Sequence, residues 1–157
     1  RWGLERDYQR FFEMDADFSH DPRHLPELLR ELDAGADVVV GSRNIPGGAV
    51  QGWGIARHLL SRGGSLYSRI VLNVAVRDMT TGFKGYSRHA LEVIRVEDLR
   101  SNGYAFQVET TYRALRRGLR VVEVPIVFVD RRVGRSKMSR SEVWEAVVRT
   151  WLMRGES

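Results

Sequence analysis

The stretch FFEMDADFSHDP places Asp15 and Asp17 one residue apart behind an apolar run. Two carboxylates at the end of a hydrophobic segment can cap a helix, break a strand or hold a metal. Asp21-Pro22 supplies a helix start of its own, with aspartate as N-cap and proline at the first helical position, so capping does not account for the upstream pair. A calcium loop fails on two positions: His20 stands where that loop needs Gly, and Pro26 where it needs the closing Glu. His20 and His24 have helical i, i+4 spacing, but there is no H-E-x-x-H pattern and Pro22 lies between them, which argues against zinc. A hard-cation site remains, in which few carboxylates and a ligand's phosphates share Mg²⁺ or Mn²⁺. D-x-D alone is common by chance, so its partners matter.

Those partners are cationic. The 157-residue chain has 25 Lys and Arg against 20 Asp and Glu, a net charge of +5, and its only lysines are Lys84 and Lys137. Arginine presents a rigid fork of donors suited to phosphate oxygens. Arg43 directly follows a β-branched run, ADVVVGS. Arg57 and Ser61 are spaced i, i+4 at a helix start. Residues 131–140 carry five cations and no acid. The plain alternatives are a solvated helix residue for Arg57 and an exposed loop for the basic run.

The elements that must position these residues read as alternating strands and helices. A helix end is expected at 2–8 and a strand at about 10–15. A helix then spans 22–35 up to Gly35, and a buried strand covers ADVVVGSR. Residues 44–54 read as a Gly-rich loop expected to move. Helical spacing covers 56–76, weakened by Gly63-Gly64. A turn and short strand follow at 78–87, then helices in RHALEVIR and YAFQVETTYRALRR. Residues 119–129 read as a strand with Pro125 marking an edge or bulge, and a last helix follows the basic loop. This alternation predicts an α/β fold with a mostly parallel sheet, whose ligand site lies beyond the carboxyl ends of the strands. The absence of cysteine excludes a disulfide framework and thiolate metal sites. No run approaches the ~18 apolar residues of a membrane span.

In this order, MDADFSHDP, ADVVVGSRN-x-x-GG, WGIARHLLSRGGS, DMTTGFKGY, GYAFQVE and VPIVFVDRRVGRSKM resemble the polyprenyl-phosphate (dolichyl-phosphate) mannosyltransferases, inverting family-two glycosyltransferases of the GT-A fold. The resemblance covers essentially the whole chain. It implies that residues 1–157 are the C-terminal portion of a single catalytic domain, missing its N-terminal strands. It implies transfer of mannose from GDP-mannose to a polyprenyl phosphate, with Mg²⁺ or Mn²⁺ as cofactor.

By the same resemblance Asp15 and Asp17 are metal ligands, joined by Ser19 where many members have Gln. Arg43, Arg57 and Ser61 grip the lipid phosphate. Arg131, Ser136 and Lys137 belong to a loop closing over the diphosphate, and Gln107 and Glu109 lie near the reaction centre. A peripheral position at the cytoplasmic face of the membrane is implied as well. For the last helix, Trp144, Val147, Val148, Trp151 and Leu152 form one stripe, with Arg140, Arg149 and Arg154 nearby. That stripe suits either an interfacial helix or packing on the sheet. Two rival functions stand beside this one: transfer of glucose or another sugar to the same acceptor, and a non-catalytic basic domain binding nucleic acid. Against the second, aromatics are not interleaved with the cations, and paired acids would repel phosphate without a metal.

Overall fold

A computed structural model describes residues 2–130 and 140–155. In chain order the elements are β1 (Arg10–Glu13), α1 (Leu25–Asp33), β2 (Val38–Ser42), β3 (Ala49–Gln51), α2 (Ile55–Leu72) and β4 (Lys84–Ser87). They continue with α3 (Arg88–Ile94), α4 (Gly103–Arg116), β5 (Val121–Pro125), β6 (Val127–Val129) and α5 (Arg140–Gly155). Four strands make a sheet in the order β1-β4-β2-β5, and β3 and β6 make a second, two-stranded sheet.

The expected α/β architecture is present, but the sheet is mixed rather than mostly parallel. β4 runs antiparallel to both β1 and β2, whereas β2 and β5 are parallel. β4 follows α2 through the 73–83 loop and leads straight into α3.

β2 is the centre of the molecule, and all five of its residues are buried. Side chains alternate across a strand, and the three valines divide accordingly. Val39 packs with Leu28 and Leu32 of α1, Phe83, Val124 and Ile126 on one face. Val38 and Val40 pack with Tyr86, Ala90, Ile94 and Ala114 on the other. Gly41 continues the strand where a β-carbon would come within 3.1 Å of both the Phe83 carbonyl oxygen and Ile126. The expected start at Asp21-Pro22 opens a single 3-10 turn, Pro22–His24, that leads into α1: the Asp21 carboxylate accepts from the Arg23 amide at 2.9 Å.

Several local expectations change. Residues 2–7 form turns rather than a helix end, because their carbonyls are taken by the Arg88 guanidinium, which donates to Leu4, Arg6 and Tyr8 oxygens. The Gly-rich loop at 44–54 contains β3, paired in parallel with β6. The single strand expected at 119–129 divides at Ile126, just past Pro125. The Ile126 amide bonds Ser42 of one sheet, and its carbonyl accepts from Ala49 of the other. α2 runs unbroken through Gly63-Gly64, since Ser65, Ser68, Val71 and Leu72 bury one face beyond them.

In α5 the apolar stripe does not pack on the sheet. Trp144, Val148, Trp151 and Leu152 are exposed, and the helix buries Thr150 and Met153 instead, Met153 joining Leu72, Met79, Val108 and Tyr112. The Tyr67 hydroxyl of α2 donates to the Val147 carbonyl at 3.1 Å, which seats α5 beside α2. Among the described residues no helix is long and apolar enough to cross a membrane.

Candidate active site

β1 delivers the aspartate pair to the end of the sheet, and a tight turn holds it there. The Asp15 amide donates to His20 Nδ1 at 3.0 Å. The His20 ring is buried, stacked on Phe83 with centroids 4.9 Å apart and edge-on to Phe128 at 5.3 Å. An Nδ1 that accepts puts the remaining proton on Nε2. Burial lowers the His20 pKa, outweighing the upward pull of Asp15, so the ring is neutral. Phe18 takes a left-handed φ of 65°, which turns the chain so that both the amide and the hydroxyl of Ser19 donate to Asp17 Oδ1. Ser19 is itself buried.

Ser19, expected as a metal ligand, spends its hydroxyl proton on Asp17 and so orients that carboxylate, while its oxygen keeps the lone pairs a metal would use. His24 is also committed, its Nε2 accepting from the Val127 amide at 3.3 Å. Both histidines therefore spend their acceptor nitrogens on backbone donors, consistent with the exclusion of zinc.

The Asp15 side chain is 58% exposed. Opposite it stands Gly82, where a β-carbon would lie 3.7 and 3.9 Å from the two Asp15 oxygens and 3.5 Å from Gln107 Nε2. The missing side chain leaves space beside the carboxylate. Among the described residues there is no cluster of three or more His, Cys, Asp or Glu that could enclose a metal. Two hard oxygen donors beside open space fit Mg²⁺ or Mn²⁺, which complete their shells with phosphate and water.

Arg43 emerges from β2 into a buried ion pair. Its Nε and one terminal nitrogen bond the two oxygens of Asp78, each at 2.7 Å, its amide donates to the same carboxylate at 3.0 Å, and that terminal nitrogen also reaches Thr80 Oγ1 at 3.1 Å. Burial alone would raise the Asp78 pKa, but the hydrogen bonds and charge of Arg43 overcome it and the net shift is downward. Burial likewise opposes the Arg43 cation, and Asp78 reverses it, leaving the Arg43 pKa raised. The pair is charged on both sides. Glu123 of β5 anchors its base by accepting from the Arg77 and Asp78 amides at 2.8 and 3.0 Å.

Arg57, in the first turn of α2, donates to Asp130 at 2.6 Å and lies over the Trp53 ring, 4.4 Å from its centroid. Arg43 lies 5.6 Å from the same ring and 5.5 Å from Phe128. Ser61 follows Arg57 one turn on, half-buried.

Gln107 and Glu109 part company on α4, two positions apart and so on different faces. Gln107 Nε2 donates to Glu13 at the end of β1, and its Oε1 is buried with no partner among the described residues. Through Gly82 it stands beside Asp15. Glu109 does not join the aspartates: it is buried, pairs with Arg113 at 2.6 Å and accepts from the Arg100 and Ser101 amides. The geometry gives it the structural task of holding the chain ahead of α4. Arg131, Ser136 and Lys137 lie outside the described residues.

Beneath Gln107 sits a residue for which the sequence reading named no role. Lys84 is fully buried in β4, its Nζ donating to the Gln107 carbonyl at 2.7 Å and to Thr110 at 3.1 Å. Burial lowers its pKa to about 8, against the upward pull of Glu13 and Asp78. Asp78 lies within DMTTGFKGY, where no local pattern marks it as a partner for Arg43. The available signal was charge balance: a cation placed directly after a buried strand needs a buried anion.

Residues 7–95 match the glycosyl transferase family 2 profile. The chain belongs to that family. It is 47% identical over 156 residues to a polyprenol monophosphomannose synthase of Mycolicibacterium smegmatis, covering 98% of this chain and 59% of the relative. It is 49% identical over 148 residues to an undecaprenyl-phosphate mannosyltransferase of Micrococcus luteus, covering 94% and 60%. The chain thus spans about three-fifths of these relatives' length.

Among solved structures it is similar to the glucosyl-3-phosphoglycerate synthase of Mycobacterium tuberculosis with UDP, at TM-score 0.62 and 20% identity over 97% of this chain and 52% of that one. A second structure of that enzyme, holding Mn²⁺, UDP-glucose and glycerol 3-phosphate, matches at TM-score 0.59 and 19% identity, with the same coverage. The fold of this glycosyl transferase is accordingly GT-A.

Lys84 yields a pH test. Its folded pKa of about 8 lies below the unfolded value of 10.5, so between these the unfolded chain binds more protons and stability rises with pH. From pH 8 to 10 the wild type is expected to gain about 2 kcal/mol relative to Lys84→Met. Denaturant unfolding of both proteins at each pH checks this; parallel curves would contradict it.

Proposed function

We propose that this glycosyl transferase moves mannose from GDP-mannose to the phosphate of a polyprenyl phosphate, with inversion. The observation that carries the reading is a shared aromatic wall. Phe128 meets His20, which fixes the aspartate turn, and lies 5.1 Å from Trp53, on which Arg57 rests. Two carboxylates suited to a metal–diphosphate and two arginines suited to a phosphate monoester thus stand around one wall. The names of the two relatives, one for polyprenol and one for undecaprenyl phosphate, agree with a lipid phosphate acceptor.

The chemistry needs little from a general base. A phosphate monoester has its second pKa near ~6 and is largely dianionic at neutral pH. One acceptor oxygen attacks the sugar C1, the bond from C1 to the diphosphate oxygen breaks, and the nucleoside diphosphate leaves with the electron pair. A divalent cation held by Asp15 and Asp17 would supply positive charge to that leaving group. The residues' own work is to bring two anions together. Arg43, locked by Asp78, offers a prealigned cation, and Arg57 adds a second at the mouth of α2. Ser19 and His20 keep the carboxylates aimed, and Gln107 presents a buried amide oxygen beside Asp15.

A lipid acceptor requires access to a bilayer. On α2, Ile55, Leu59, Leu66 and Ile70 are all exposed and share one helical face, with Arg62 in the same stripe. α5 adjoins it with exposed Trp144, Val148, Trp151 and Leu152. Large apolar groups beside cations suit the interface of an anionic membrane. This extends the reading of α5 to α2, whose face was not singled out in the sequence.

Transfer of labelled mannose from GDP-mannose to polyprenyl phosphate, with Mg²⁺ or Mn²⁺, tests the proposal in the full-length protein. Asp17→Ala is expected to lower turnover by about 10²–10³-fold or more. Arg57→Ala is expected to raise KM for the lipid phosphate roughly 10–100-fold while sparing KM for the donor. A lipid product formed from UDP-glucose in preference would overturn the donor assignment, and unchanged acceptor kinetics in Arg57→Ala would overturn the acceptor site. Cosedimentation with phosphatidylglycerol vesicles is expected for the wild type and lost in a Leu59→Asp/Trp151→Asp double variant; wild-type protein that stays in the supernatant would contradict membrane docking.

A further inference from the structure

Trp53 stands at the junction of the acceptor arginines. The Gly52-Trp53-Gly54 turn places it there. Gly52 has a φ of +85°, and a β-carbon on it would come within 3.0 Å of Asp130, whose amide bonds the Gln51 carbonyl at 2.8 Å. The chain therefore turns closely against the residue that pairs with Arg57. The indole meets Phe128 at 5.1 Å and 64°, and His58 at 6.0 Å and 79°. The same ring carries Arg57 at 4.4 Å and Arg43 at 5.6 Å.

Two features set this tryptophan apart from a filler of space. Its Nε1 is buried with no hydrogen-bond partner among the described residues, a feature that ordinarily disfavours Trp against Phe. It also brings two like charges to one ring. Each guanidinium has its own carboxylate, Asp78 or Asp130, yet neither carboxylate sets the spacing between the cations. The indole has the strongest quadrupole of the aromatic side chains and attracts a cation most strongly.

We propose that Trp53 is a positioning residue for the acceptor phosphate, acting through the two arginines it seats. It rests on the reading of Arg43 and Arg57 as the acceptor's ligands. By holding both cations against one ring it fixes the span over which they grip a phosphate monoester, and the aromatic wall ties that span to the aspartate turn.

The test uses the full-length protein with steady-state kinetics in both substrates. Trp53→Leu is expected to raise KM for polyprenyl phosphate about tenfold, with KM for the nucleotide sugar within twofold. Trp53→Phe, which keeps a ring, is expected to restore acceptor KM to within about threefold of wild type. Trp53→Met serves as a second ringless variant should Trp53→Leu fail to fold. An acceptor KM unchanged in the ringless variants overturns the proposal. So does a parallel rise of both KM values with a lowered Tm in the ringless and Phe variants alike, which marks a purely structural role. Arg57→Ala separates the two levels. If it raises acceptor KM and loss of the Trp53 ring does not, only this inference fails; if it leaves acceptor KM unchanged, the acceptor reading fails and this inference with it.

Discussion

The buried ion pair between Arg43 and Asp78 is the constraint around which the rest is arranged. A guanidinium and a carboxylate removed from water each carry a desolvation penalty of several kcal/mol, recovered only with near-ideal geometry and full hydrogen bonding. The fold provides both. β2 aims Arg43, the 77–80 turn encloses it with Asp78 and Thr80, and Glu123 of β5 holds the turn by two amides. Thr80 also lies 3.3 Å from the Ser65 hydroxyl, which connects α2 to the same point. One pair thereby joins the central sheet, the loop before β4 and the helix that carries Arg57. Removing either partner would leave an uncompensated charge, a loss of about 3–5 kcal/mol in comparable sites.

The carboxylate end is held by different means. His20 is a neutral ring among aromatics, and its contribution is geometric: one acceptor for the Asp15 amide, a stacked contact with Phe83 and an edge contact with Phe128. For the proposed metal role, neutral groups orient these carboxylates without competing for their charge. Ser19 follows the same logic at Asp17. The two ends thus differ in electrostatics while sharing Phe128 as a wall.

Much of this was legible in the residues. The helix start at Asp21-Pro22, the buried strand before Arg43 and the aspartate pair beyond a strand end all follow from local rules of capping, alternation and strand polarity. The contacts that decide roles are long-range, and spacing does not contain them. Asp78 is 35 residues from Arg43 and Asp130 is 73 from Arg57, so neither partner shows in a local pattern. The mixed sheet has the same origin, because the direction of β4 depends on where its loop returns. Glu109 misleads for a simpler reason: Q-x-E places its two side chains on different faces of a helix, and only Gln107 faces Asp15. The exposed stripe of α5 was visible as a period, but its direction was decided by Thr150 and Met153, which the helix buries instead.

Glycosyl transfer between two phosphorylated partners demands that a metal–diphosphate and a phosphate monoester be held at one place without repelling each other. In the function proposed here, carboxylates at one side of an aromatic wall and ring-seated arginines at the other would meet that demand. The most direct measurement is a crystal structure of the full-length protein with Mn²⁺, a guanosine diphosphate and a soluble isoprenyl phosphate, with the metal located by anomalous scattering. One manganese peak at Asp15 and Asp17, with the monoester phosphate against Arg43 and Arg57, is the result expected. Manganese bound away from the two aspartates, or a monoester phosphate away from the arginines, would contradict it.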